Sequence, residues 1–538
     1  MKNKFLIHII IFFLYLNLYS NESQITVNVE PIEFNELGGI HSFAFGQYDG
    51  KWLIVGGRLD GLHQRQPFAA FDVAGNNNQI IVIDPVNKQK WVSSLSSLPV
   101  SIREQLSSTN MEFIQEGDYL YCLGGYGYSS TKADHTTYGN LTAINVKETI
   151  EAIINGDGIE NQFRQINDPL FQVTGGHLSK IDNRYYLLGG QKFLGRYNPM
   201  GPDHGPGFTQ EYTNAIRIFN LNDDGETITI EHLPSHIDQN NLHRRDYNAV
   251  QQIMPNGDEG VTMFSGVFRE DADLPFLNSV DVSLDNYKVN NDFKQYYNHY
   301  HCPVLPLYSE SENTMHTLFF GGIAQYYDNN GTLVQDNNVP FVNTIARVSR
   351  DKDGNMVEYK MPAVMPSLLG AGGEFIPNLN LPQYDNGVFK LDELSGDNIL
   401  IGYIYGGISS TAPNIFTTND GSQSTANSQI FKVHISTGTK ASVDEINESS
   451  ISNLEFNIYP NPSKKLINIE YKLASNDNVK IRITDVEGKL IDDVVFTNQT
   501  AGKHTYTKTV GGLVNGSIYF LTIETTNETE TRKLVIER

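Results

Sequence analysis

The chain has 538 residues, with 39 Lys and Arg against 62 Asp and Glu and a formal net charge of −23. That length exceeds one ordinary core, so several domains or a large repeat array are expected. So acidic a surface repels nucleic acid and anionic membrane, which sets both aside as general partners.

The chain opens "MKNKFLIHIIIFFLYLNLYS": Lys2 and Lys4 precede an apolar run from Phe5 to Leu18, and Ser20 offers a cleavage point. Residues 1–20 read as a secretory signal peptide, because the run is short for a membrane span. No comparable run follows, so no membrane span is expected in the mature chain. Cys122 and Cys302 are too few for a disulfide framework and read as free, buried thiols.

From residue 21 an apolar run ending on two glycines recurs, at Gly56-Gly57, Gly124-Gly125, Gly189-Gly190, Gly321-Gly322 and Gly406-Gly407. A sixth copy carries Ser265-Gly266 instead. Recurrence of this kind is the mark of a repeat fold. Each unit reads as four short strands; in the first these are "GGIHSFAFG", "KWLIVGGR", "NQIIVIDP" and "QKWVSSL", separated by turn residues. Helical periodicity is confined to "IREQLSS" and "KETIEAIING". The expected fold class is all-β: a six-bladed β-propeller over residues 21–436, with glycine admitting close backbone approach near the axis. The sixth unit lacks a fourth strand after "SQIFKVHIST", and "QITVNVEPI" (residues 24–32) is unassigned, so the N-terminal strand is expected to close blade six.

These units resemble kelch repeats: an apolar run into Gly-Gly, an aliphatic third strand, and Asp84 with Trp91 in the first unit. Later units lack the tryptophan. The resemblance implies ligand binding at one mouth of a central channel, by residues just after Gly-Gly and residues leading into each first strand. The first set is Arg58, Tyr126, Gln191, Val267, Ile323 and Ile408. The second comprises Arg244, Arg245, Asp246 and Tyr247 of "LHRRDYNAV", and His299, Tyr300 and His301 of "YNHYHCPV". His41 and His177 begin comparable strands.

Residues 437–452 are polar and read as a linker. Residues 453–538 alternate apolar and polar and read as a small C-terminal β-sandwich. They resemble the C-terminal sorting domain of the type IX secretion system in Tyr459-Pro460-Asn461-Pro462, "ITDVEGKLI", Gly516 with Tyr519-Phe520, and Lys533-Leu534-Val535. The resemblance implies the secretion machinery as a partner and a secreted or outer-membrane-surface location.

Chemistry is sparser. Arg58, Arg244 and Arg245 offer forked donors suited to carboxylate, phosphate or sulfate; the competing reading has Arg244 and Arg245 bracing the ring through Asp246. His299 and His301, two apart on a strand, would share a face and could join His41 or His177 on a metal. Satisfied structural histidines are the adopted reading, and no metal or other cofactor is expected. A copper-radical oxidase is set aside because adjacent Tyr121 and Cys122 would face opposite ways. "DKDGNMVEY" reads as a hairpin turn, not a calcium loop. The insertion from Phe193 to Tyr212 brings Tyr197, His204, Phe208 and Tyr212, which could stack on sugar faces. No nucleophile elbow, HExxH or phosphate loop is visible in the sequence. The function expected is an exported protein that binds a glycan or a protein at the propeller mouth. The alternatives are a carbohydrate-active enzyme resembling a sialic-acid mutarotase, with Arg58 and "HRRDY" on the sugar carboxylate, and a structural component of an outer-surface assembly.

Overall fold

The computed structural model describes residues 25–437, 444–446 and 456–537, apart from 202–206, 330, 395, 474, 486–488, 511–512, 515–517 and 527–528. The protein is all-β, and residues 25–437 build six antiparallel sheets with four core strands each. The first sheet runs Ala44–Tyr48, Lys51–Val55, Gln79–Asp84 and Gln89–Ser94, and the second runs Thr109–Glu116, Tyr119–Ser129, Asn140–Asn145 and Phe163–Asn167. The third and fourth run from His177–Ile181 to Ile228–Ile237 and from Asn248–Ile253 to Tyr287–Asn290. The fifth spans Val304–Ser309 to Met356–Val364. The sixth takes Gly373–Pro377, Ile399–Gly406 and Ile430–Thr437, and then the N-terminal strand Ile25–Ile32, paired antiparallel with Ile430–Thr437 over its full length.

Second strands such as Lys51–Val55 and Arg184–Leu188 are apolar throughout after their first residue, because neighbours cover both faces of the sheet. The outer strand Gln89–Ser94 has no fully buried residue. Six apolar cores are shared between sheets in sequence. Leu53 and Val82 of the first meet Leu120 and Ile144 of the second; Leu123 meets Leu187; Leu188 meets Met263; Phe264 meets Phe319; Leu318 meets Ile404. Ile376 and Tyr405 of the sixth then pack on Trp52 and Ile54 of the first. The helix α1 (Val100–Leu106) lies between the first and second sheets. So does α2 (Val146–Asn155), capped by the Asn145 side chain on Glu148 N and ended by left-handed Gly156.

Two sets of backbone hydrogen bonds tie the sheets together. The amide of the second glycine in five units donates across to the next sheet: Gly57 to Ser108, Gly125 to Val173, Gly190 to Arg244, Gly322 to Leu369 and Gly407 to Ile40. At Gly124 φ is +67°, and an added Cβ would overlap the Val173 carbonyl oxygen. Glycine is therefore required twice over, by conformation and by contact. Six further bonds of 2.7 to 3.4 Å form a cycle with one residue at the start of each sheet's first strand or just before it. Ser42 donates to Gly372, Gly372 to His301, His301 to Asp246, Asp246 to Gly175, Gly175 to Asn110, and Asn110 back to Ser42.

The C-terminal residues form two sheets, Phe456–Tyr459 with Leu466–Leu473 and Gly502–Thr509, and Leu490–Gln499 with Asp477–Thr484, Ile518–Glu524 and Thr529–Val535. Ile467, Ile469, Val479, Ile481, Leu521 and Ile523 fill the core between them. Asn461 joins the two ends of the sorting motif: its Nδ2 donates to Lys533 O at 2.7 Å, and its Oδ1 accepts from Val535 N at 2.8 Å. Leu534 and Tyr519 are buried, Tyr459 is largely exposed, and Pro460 and Pro462 flank Asn461. Gly516 and the "VEG" of the expected hairpin turn lie outside the described residues.

Candidate functional site

The residue preceding each member of the six-bond cycle is His41, Thr109, Thr174, Arg245, Tyr300 or Ala371, and all six line one cavity of about 770 Å³. Each faces a residue just past its unit's glycine pair: His41 bridges Arg58, Thr109 pairs with Tyr126, Thr174 bridges Gln191, and Arg245 bridges Val267. Arg58, Tyr126, Gln191, Ile323 and Ile408 also line the cavity. Of these, Arg58, Tyr126 and Gln191 in units one to three are polar, and Ile323 and Ile408 in units five and six are apolar. The insertion supplies a wall: Gln191–Leu194 and Thr209–Tyr212 form a hairpin that also pairs with Asp134–Thr137 of the second unit. It brings Phe193, Tyr197, Phe208 and Tyr212 to the cavity, where Phe71 and Tyr126 pack edge-on to one another. His204 lies outside the described residues.

The two arginines of "HRRDY" part company. Arg244 is fully buried and away from the cavity. Its guanidinium donates to Asn241 O, Ser265 O, Asn278 O and Asn278 Oδ1, under the Phe276 ring at 4.1 Å. Four of its five N–H donors are engaged inside the fold, so Arg244 is a brace. Arg245 lines the cavity, with Nε donating to Tyr212 OH at 2.9 Å, Nη1 paired with Asp246 Oδ2, and Phe268 at 5.2 Å. Among the described residues its Nη2 has no hydrogen-bond partner. Arg58 also lines the cavity but is held bidentately by Asp60, at 2.8 and 2.5 Å, and by Asn76 and Asp72 O. Tyr247 is buried, its hydroxyl donating to Leu188 O.

His299 and His301 do not act as a pair. Residues 298–303 are not a strand, so no alternation places the two rings on one face. His299 is buried outside the cavity, with Nδ1 accepting from Gln325 N and Nε2 against Gln295 O. His301 lines the cavity and meets Glu374 Oε1 at 3.1 Å. Burial alone would lower the His301 imidazole; the Glu374 carboxylate and then Asp246 outweigh it, leaving its pKa above the ordinary 6.5. His41 goes the other way: burial brings it down to about 4, so it is neutral at pH 7. Among the described residues no three His, Cys, Asp or Glu side chains could hold a metal ion. Both cysteines are buried and free. The "DKDGN" segment is a turn between Phe341–Arg350 and Met356–Val364, in which the Asp351 carboxylate accepts from Asp353 N and Asn355 N.

Two buried carboxylates near the six-bond cycle, Glu112 and Glu374, escape a search for familiar motifs. They occupy one place in the repeat, "MEFI" and "GEFI", each two residues beyond a member of the six-bond cycle. Aligning the units against one another would have exposed them. Asn198, 1% exposed, lines the cavity with its Nδ2 unpartnered, and nothing in a glycine- and proline-rich loop announces it.

Residues 457–537 match the family model of the secretion system C-terminal sorting domain. The chain therefore carries a type IX export tag that directs it to the cell surface or the extracellular space. Among the described residues no helix is long and apolar enough to cross a membrane. No curated protein matches the sequence. Among solved structures the chain is similar to YjhT, at 9% identity and a TM-score of 0.39 over 74% of this chain and 97% of that one. It is also similar to CoXyl43, a GH43 beta-xylosidase/alpha-arabinofuranosidase from a compost microbial metagenome. There the identity is 8% and the TM-score 0.30, over 78% of this chain and 97% of that one. Likenesses of this degree carry no argument about function.

Proposed function

We propose that the chain is an exported, closed six-bladed β-propeller of kelch type that binds a carboxylate-bearing glycan in the cavity around Arg245. Closure is supported by the six-bond cycle and by the core that the sixth sheet shares with the first. The ligand class rests on one observation: a cation with an unused Nη2 stands in a cavity walled by Tyr197, Phe208, Tyr212, Phe268 and Phe71. Aromatic faces suit the apolar faces of sugar rings, and a half-used guanidinium suits a carboxylate. Arg58, tied down by Asp60, contributes shape and field more than a direct contact.

The test is a glycan array on the full chain beside Arg245→Ala. Loss of one charge-assisted contact is worth about 1.5–3 kcal/mol, so acidic-glycan affinity is expected to fall roughly ten- to a hundredfold. Binding that ignores both the sugar carboxylate and the substitution would overturn the reading. One observation favours catalysis as a second reading: Asp246 and His301 stand in the same cavity as Arg245. Chemical change in a bound acidic sugar, abolished by Asp246→Asn, would decide for it.

A further inference from the structure

A second cavity, of about 910 Å³, lies across the six-bond cycle from the first and shares Ser42, Asn110, Asp246 and His301 with it. It is walled by acids, and three of these are matched: Glu116 pairs with Lys180, Asp246 with Arg245, and Glu374 with His301. Four more, Glu112, Asp182, Glu259 and Asp385, form no ion pair among the described residues; of these Glu112, raised by burial to about 8, is largely protonated at pH 7. Burial, then Asp385 and Asp182, push Glu259 above the ordinary carboxylate range, so these groups sit close enough to repel one another.

The cavity also holds buried polar atoms without hydrogen-bond partners. Glu112 is 2% exposed; its Oε1 accepts from Gly176 N at 2.8 Å, and its Oε2 has no partner. Gln251 Oε1, on the fourth sheet, is likewise buried and unpartnered. A buried polar atom left without a partner costs about 1–3 kcal/mol, which a cationic donor would recover by bonding Gln251 Oε1 and by favouring the ionised form of Glu112. The ligand is not a point cation. The four unmatched acids sit on the second sheet, a hairpin turn of the third, the fourth sheet, and the loop before Phe389. No three acids converge on a metal-sized volume among the described residues. Charge spread over such a span is met by a chain of cations, and Phe45, Phe113 and Phe375 also line the cavity, apolar surface suited to the methylenes that join them.

We propose that this second cavity binds an extended organic polycation, several ammonium groups on alkyl spacers, whether a free linear polyamine or a lysine-rich peptide segment. The site does not depend on the glycan reading, since the two cavities lie on opposite sides of the cycle.

Calorimetric titration of the full chain with spermidine, with trilysine and with Ca²⁺ at matched ionic strength tests it. At least one of the two organic cations is expected to bind saturably at one per chain and more tightly than Ca²⁺. That binding should weaken at least tenfold in Glu259→Gln/Asp385→Asn and persist in Arg245→Ala. Spermidine alone binding assigns a free polyamine, and trilysine alone a protein segment. If the double variant fails to fold, Asp182→Asn carries the same test from an exposed turn. Calcium binding as tightly as both organic cations, or acid-to-amide variants that bind like the parent, would overturn the proposal.

Discussion

Arg244 and Arg245 are neighbours in the chain and end in opposite surroundings, one buried with four hydrogen bonds, the other half-used in a cavity. No residue-level rule separates them, because Asp246 beside them has φ +48° and lies before the strand Asn248–Ile253 begins. Alternation holds within strands, and these residues are outside one. The same limit explains why His299 and His301 read as partners in sequence and part in space. Glu112 carries a prediction at this scale. Burial raises its carboxyl from 4.5 to about 8, with Asp246 adding to the shift. The folded state then binds the proton more tightly than the unfolded one, so stability is fullest below about pH 4.5 and is lost as pH rises towards 8. Glu112→Gln keeps the acceptor for Gly176 N and removes the ionisation. It is expected to match the parent in thermal unfolding at pH 4.5 and to exceed it at pH 8 by on the order of 4 kcal/mol. An equal difference at both pH values would refute this account of the group.

At the scale of elements, the glycine pairs and the terminal strand do the joining. Gly124→Ala places a methyl against the Val173 carbonyl in a left-handed conformation. The backbone cost alone is about 1–2 kcal/mol, and the overlap must also push Val173 off the amide of Gly125. Loss of soluble protein, or a midpoint lowered by roughly 5 °C or more, is expected from thermal melts. The strand Ile25–Ile32 pairs at every residue with Ile430–Thr437 and buries Ile25, Val27 and Ile32. Deleting residues 25–32 removes apolar burial worth about 1.5–3 kcal/mol per side chain and leaves a bare sheet edge. A large loss of stability with aggregation is expected by light scattering, and an unchanged melt would show that the strand is dispensable. The need for this strand was legible, because the sixth unit ran out of strands; the Gly-Gly contacts were legible only as crowding, without the carbonyls that cause it.

At the scale of the whole molecule, export and cavity chemistry sit in separate parts of the chain. Removing residues 457–537 takes away the sorting domain and leaves the six sheets intact, so fractionation is expected to find the truncated chain retained inside the cell while it still folds. Appearance of the truncated chain in the medium would contradict the role of the tag. By itself the sequence determined what is periodic and local: six repeated units, all-β structure, free cysteines and the export tag, each carried by residues close together along the chain. Only the tertiary structure decided which arginine faces the cavity, that Glu112 and Glu374 line the second cavity, and that two cavities meet at one cycle of hydrogen bonds. Those features join residues that are neighbours only in space, such as Ser42 and Gly372, and side-chain direction at such junctions is set by hydrogen bonds captured from another sheet.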